Sequence, residues 1–290
     1  MKHWDIEAVA WHDFEPAKVD RSLVPLVKAA AMVERNGGDY AIYLDHVFPD
    51  DAAFRAAAAT WADEEVQHGE ALGRWAMLAD PGWDFRAAFA RYKEGFRIQL
   101  DAPASVRGSR TGELIARCMV ETGTSSYYTA LADATTEPVL ERICRLIAAD
   151  EFRHFKLFYD HMRRYLERER LSFPRRLAIA AGRIREGEDD ELAFAYHCAN
   201  EPATEAYSHE RCLRAYMEGA MGFYRRPHIA RGMGMIFKTV GLKPHGALSD
   251  LATHLAWRRL SRRRRHDAQA AMRAGAGAGA ATGTETAQAA

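Results

Sequence analysis

ADEEVQHGEALGRW, residues 62–75, is the stretch on which the fold turns. It sits in a run of helix formers and gathers Asp63, Glu64, Glu65 and Glu70 around one imidazole, His68. Glu65-x-x-His68 has a twin in DEFRHFKLF, where Glu151 precedes His154 by the same interval. On a helix, residues three apart share a face, so each pair aims a carboxylate and an imidazole at one point. With 12 histidines in 290 residues, chance alone yields roughly one such spacing, so two prove little by themselves.

What precedes each pair carries more weight. Glu34 lies 31 residues before Glu65, and Glu121 lies 30 before Glu151. A turn falls near the midpoint of each interval, at FPDD (48–51) and TTEP (135–138). In an antiparallel helical hairpin, residues equally far from the turn come level; here each is ~20 Å from it at 1.5 Å per residue. Asp45, the rival carboxylate, would fall ~15 Å out of level with Glu65. A glutamate lands in the right place in both hairpins by chance roughly one time in twenty. Four carboxylates and two imidazoles make the ligand set of a two-metal site inside a four-helix bundle. Such a set suits iron or manganese better than zinc. Asp63, Glu64 and Glu70 read as surface. The competing reading is a bundle with solvated carboxylates, because burying four of them without a cation is costly. The interior-type surroundings of Glu34 (LVPLVKAAAMV) and Glu121 (ARCMVETGTSSYY) argue against it.

The rest of the chain reads as helical. Helices are expected over 21–47, with Gly37-Gly38 as weak points, and over 51–79, 84–100, 113–134 and 138–170. Asp50 or Asp51 is expected to cap the second, and Thr135 or Thr136 the last. Two or three further helices are expected to 259, interrupted by Pro174, Pro202, Pro227 and Pro244. Residues 1–20 form an extension, 21–260 one helical domain with metal-binding hairpins at 21–79 and 113–170 and further helices at 175–260. Residues 261–290, a basic cluster and an Ala/Gly tail, read as disordered.

Composition narrows the function. Forty basic and 40 acidic residues balance to zero, giving no reason to expect nucleic acid as a partner. No apolar run reaches the ~20 residues of a membrane span, and no signal peptide is visible. Four isolated cysteines suit a reducing cytoplasm. Cys118 and Cys144 fall near the candidate site but read as small core side chains. His197, His209 and His228 read as packing or surface. The run Arg163, Arg164, Arg168, Arg170, Arg175 and Arg176 reads first as a solvated basic face, and is the docking candidate if an acidic carrier protein delivers the substrate.

These motifs resemble the ferritin-like di-iron superfamily, and within it the soluble acyl-carrier-protein desaturases. WADEEVQHGE carries that family's Trp four residues before the Glu, then Glu-x-x-His-Gly-acid; DEFRH repeats its Asp-Glu-x-Arg-His. Thr124 follows Glu121 at i+3 and Tyr40 follows Glu34 at i+6, as in the family. The likeness covers residues 20–170. It implies an all-α, ferritin-like four-helix bundle with a di-metal carboxylate core and additional C-terminal helices. Glu34 and His68 would be terminal ligands of one iron, Glu121 and His154 of the other, with Glu65 and Glu151 bridging. Asp150 would orient the opposite histidine, and Thr124 would handle the oxygen intermediate or its protons. Two iron ions, O2 as co-substrate, and an external ferredoxin or flavoprotein as electron donor follow. An acyl carrier protein is an implied partner, and the family commonly forms homodimers. Gly37-Gly38 and the short first hairpin depart from the pattern and leave substrate identity open. The expected activity is O2-dependent oxidation of an unactivated C–H, favouring desaturation of a carrier-bound acyl chain. Hydroxylation or N-oxygenation of a small molecule is the alternative within that class. Iron handling of the ferritin or rubrerythrin kind is a second class, disfavoured by chain length and by the lack of rubredoxin-type cysteines. A metal-free helical scaffold is the third.

Overall fold

The computed structural model describes residues 4–186 and 190–282, with side chains through Arg265. All regular structure among them is helical. After three short 3-10 turns between Ile6 and Lys18 come α1 (Val24–Arg35), α2 (Gly37–Val47), α3 (Ala52–Ala79), α4 (Phe85–Gly95), α5 (Arg110–Ala134) and α6 (Pro138–Glu169). The C-terminal part carries α7 (Phe173–Glu186), α8 (Asp190–Asn200), α9 (His209–Gly222), α10 (Arg226–Val240) and α11 (Ala247–Thr282). Helices α1 and α2 pack along α3, α5 packs along α6, and α3 meets α6, which joins the two hairpins. Helices α7 and α10 pack on α5, α8 on α1, and α11 on α10.

The first hairpin differs from its expectation. Residues 21–47 do not form one helix; the chain breaks at Asn36, between α1 and α2. Gly37 then crosses α3 so closely that a Cβ there would lie 2.5 Å from Glu65 Cβ. Gly69 plays the same part toward α1, where an added Cβ would meet Arg35 N at 2.5 Å. The glycine after His68 is thus set by helix–helix contact, since no larger side chain fits without moving backbone.

Asp51 caps α3, accepting from Phe54 N at 3.1 Å. The cap of α6 is not Thr135 or Thr136 but Glu137, whose carboxylate accepts from Val139 N and Leu140 N. Glu137 is fully buried and also accepts from Trp75 Nε1 (2.7 Å) and Glu15 N (3.1 Å). A longer carboxylate serves here because it ties α3 and the N-terminal extension to the same helix end, beyond a threonine's reach.

Beyond Arg170 there are five helices rather than two or three, and Pro174 and Pro227 lie in first turns instead of interrupting helices. Helix α11 continues through Thr282, and Ala and Arg are strong helix formers. Residues 283–290 lie outside the described residues. No helix among the described residues is long and apolar enough to cross a membrane.

Two apolar clusters fill the hairpins. One gathers Val27, Met32, Leu72, Trp75, Tyr128, Leu131, Ile143 and Ile147. The other gathers Leu44, Phe54, Trp61, Leu114, Ile115, Cys118, Phe155 and Phe158. In sequence, residues 64–68, 121 and 150–154 fall between them on α3, α5 and α6, so a layer of ionisable groups is enclosed by apolar side chains.

Candidate metal centre

Glu34, Glu65, His68, Glu121, Glu151 and His154 are all buried, Glu121 and Glu151 to 1% exposure. They form two overlapping sets: Glu34, Glu65, His68 and Glu151, and Glu65, Glu121, Glu151 and His154. Within each, one ligand atom per residue lies within 4.8 Å of the others. Glu65 and Glu151 belong to both. Glu65 turns Oε2 toward His68 Nδ1 (3.8 Å) and Oε1 toward His154 Nδ1 (3.0 Å). Glu151 Oε1 faces both imidazoles, at 3.3 and 3.8 Å. Glu34 Oε2 is 3.6 Å from His68 Nδ1, and Glu121 Oε2 is 3.8 Å from His154 Nδ1. The two rings are 5.7 Å apart between centroids.

The outward faces of the imidazoles are satisfied. His68 Nε2 lies 3.0 Å from Asp150 Oδ2, and His154 Nε2 lies 2.6 Å from Glu64 Oε2. A carboxylate accepts, so each Nε2 carries the proton and turns the Nδ1 lone pair inward in the neutral ring. Arg153 holds both outer carboxylates, donating to Asp150 Oδ1 at 2.5 Å and to Glu64 Oε2 at 3.3 Å. Trp4 Nε1 donates to Asp150 Oδ2 at 2.7 Å, and its ring lies parallel to His68 with centroids 6.1 Å apart.

The inward atoms are the reverse. Glu34 Oε2, His68 Nδ1, Glu121 Oε1 and Oε2, Glu151 Oε1 and His154 Nδ1 are buried without a hydrogen-bond partner. Buried polar atoms without partners are rare and costly, and six of them facing one another fit cations that accept their lone pairs. These oxygens and imidazole nitrogens suit iron or manganese, so the residues fit the metal that the sequence implies.

Electrostatics agrees. Burial first, then the charge of Glu65, pushes Glu34 well above the usual carboxylate range; burial and Glu151 do the same to Glu121. Burial also acts to raise Glu65, but the adjoining Glu34, His154 and His68 side chains override it and hold it low. For His154 burial opposes the charge, yet Glu64 and Glu65 lift it to about 9. Asp150 is driven to about 2: burial raises it, and the bonds from His68 and Arg153 prevail. Without cations the layer therefore keeps protons that bound metal would displace.

Of the remaining expected residues, Thr124 donates to Glu151 Oε2 at 2.5 Å, closer than the carbonyls of Val120 and Glu121 at 3.3 and 3.4 Å. Tyr40 turns away from the carboxylates and donates to Glu191 (2.6 Å). Tyr128 instead bonds Glu34 Oε1, at 2.5 Å. Asp63 is exposed and Glu70 pairs with Arg35 at 2.6 Å, as surface residues do. Glu64 corrects its surface assignment. Its signal was present: it stands before Glu65 as Asp150 stands before Glu151. Tyr128 and Trp4 carry no such positional signal. Cys118 and Cys144 are buried, and burial pushes both thiols up, which makes them inert packing groups. No protein-family model and no curated protein matches this chain, so the likeness to the desaturases rests on the residues themselves.

Proposed function

We propose that the chain is a ferritin-like, O2-dependent di-iron oxidoreductase acting on an unactivated C–H bond. One observation carries the reading: six inward-facing donor atoms have no other partner, while the outward imidazole nitrogens are each fixed by a carboxylate. Glu34 and His68 would hold one ion, Glu121 and His154 the other, and Glu65 and Glu151 both. When bound, the metal pair would supply two-electron reduction of O2. Asp150 and Glu64 orient the imidazoles, Arg153 locks both carboxylates, and Thr124 holds Glu151 Oε2 so that Oε1 faces the centre. The Thr124 hydroxyl is the proposed proton-handling group. The apolar clusters exclude bulk water from the layer. Electrons would come from a separate ferredoxin or flavoprotein.

Within this class, the sequence resemblance favours desaturation of a carrier-bound acyl chain, with hydroxylation or N-oxygenation of a small molecule as the other case. Anaerobic ferrous loading followed by metal analysis should give about two irons per chain, and exposure to air an oxo-bridged absorption band. Product analysis with acyl-carrier and free substrates then separates the two cases. Retention of less than one iron would refute the reading. A shell-like oligomer accumulating ferric mineral would replace it with iron storage.

A further inference from the structure

We propose that Arg117, with Arg183 beside it, receives the carboxylate of a small organic-acid substrate one helical turn from Glu121. Oxidation of that acid rests on the function proposed above; its binding does not.

Arg117 lies on α5, four residues before Glu121 or ~6 Å along the helix. Its side chain is only 9% exposed, and its Nε is buried with no hydrogen-bond partner. The nearest carboxylate oxygen, Glu113 Oε1, is 3.7 Å from that Nε, beyond hydrogen-bond reach. Glu113 is already committed, its Oε2 accepting from Tyr43 Oη and Ser105 Oγ, both at 2.8 Å. The Tyr40 ring covers one face of the guanidinium at 4.7 Å, which leaves the planar edge as the binding edge.

Arg183 reaches the same region from α7. Among the described residues it makes no hydrogen bond or ion pair. Helix α7 packs against α5, and burial first and the Arg117 charge second lower the Arg183 pKa, as expected of two neighbouring cations partly withdrawn from water. Glu191, the other carboxylate in this region, accepts from Tyr40 Oη at 2.6 Å and Tyr92 Oη at 2.9 Å. The interior between α2, α5, α7 and α8 thus holds two guanidinium groups whose neighbouring carboxylates are bonded to hydroxyls instead.

An arginine edge without a partner in a desolvated site is costly, and a carboxylate is the group whose geometry it matches, through two parallel hydrogen bonds. The Arg117 charge does act to lower Glu121. That explains one cation near the carboxylate layer, but neither the unpartnered Nε nor Arg183. A carrier thioester brings no charge to such a site, so the pair favours a free acid over a carrier-bound chain.

The test is calorimetric titration of the full-length protein, metal-free and iron-loaded, with hexanoate and benzoate against hexanamide and benzamide. At least one acid should bind, with its amide tenfold or more weaker. Arg117→Gln and Arg183→Gln should each weaken the acid tenfold or more and leave iron content unchanged. Arg183 lies on the outer helix, so its variant keeps the test decisive if Arg117→Gln fails to fold. Equal binding of acid and amide, binding unaffected in Arg183→Gln, or no acid binding to a protein that holds iron overturns the proposal alone. Arg183-dependent acid binding by a chain that holds no iron would preserve this site and sink the oxidase.

Discussion

Among the described residues, potential metal ligands come together in two places, and they differ in what those groups have left to offer. In the mid-hairpin layer, six donor atoms face one another without partners. At the junction of α8 and α9, His197, Glu201 and Cys212 also lie within 4.8 Å. There, however, Glu201 Oε2 takes His197 Nδ1 at 2.6 Å, and Arg211 grips both its oxygens at 2.8 and 2.9 Å. The Cys212 thiol is pushed up by burial and by the Glu201 charge, the opposite of a thiolate ligand. Proximity of donors is common to both. Of the two, the first holds the unspent hydrogen-bonding capacity, so a cation could take up lone pairs there that are already committed at the second.

The largest test of this contrast is to delete one donor from each. Glu65→Ala or His154→Ala should reduce iron from about two per chain to less than one, because Glu65 faces both imidazoles. His197→Ala and Cys212→Ala should leave the count unchanged in the same metal analysis. Equal losses in both regions would erase the distinction.

Next come the contacts that bring the donors level. Gly69→Ala forces a methyl against the α1 backbone and should destabilise the protein by about 1–3 kcal/mol, read as a lowered midpoint in denaturant. Gly37→Ala pushes on Glu65 itself, so iron retention should fall further than its midpoint does. A smaller effect is expected from the outer carboxylates: Glu64→Ala and Asp150→Ala should each weaken metal affinity about ten- to hundredfold with the helix content intact. If Glu64→Ala were silent while Asp150→Ala was not, the matched roles of the two hairpins would be wrong.

The gentlest probe is pH. His154 is raised from 6.5 to about 9 in the metal-free protein. A raised histidine contributes stability that is full below its unfolded value and lost as pH rises through its folded one. The metal-free protein should therefore weaken between pH ~6.5 and ~9, whereas metal loading near pH 7.5 should release protons into a weakly buffered solution. Loading with no proton release would mean that the imidazoles were already free.

Spacing alone shows why the six central residues could be found in advance. Helical periodicity and the distance of Glu34, Glu65, Glu121 and Glu151 from their turns are local quantities. Glu64 escaped because it is rotated ~100° from Glu65 on the helix, a position that reads as solvent until α6 covers it. The break at Asn36 escaped for a related reason: Gly37 answers to a side chain on α3, not to its own neighbours. Glu137 displaced the threonines as a cap because Trp75 and Glu15, both distant in sequence, share it.

The amino-acid order by itself determined that the chain is helical, where its two hairpins turn, and which four carboxylates and two imidazoles come level, since rise per residue is nearly independent of context. Tertiary structure alone decided which nitrogen of each histidine faces inward, that Trp4 and Arg153 hold the outer carboxylates, and that Arg117 was left without a hydrogen-bonded counter-ion. Those outcomes depend on which groups burial brings within about 3 Å of each other, and no local rule along the chain encodes that.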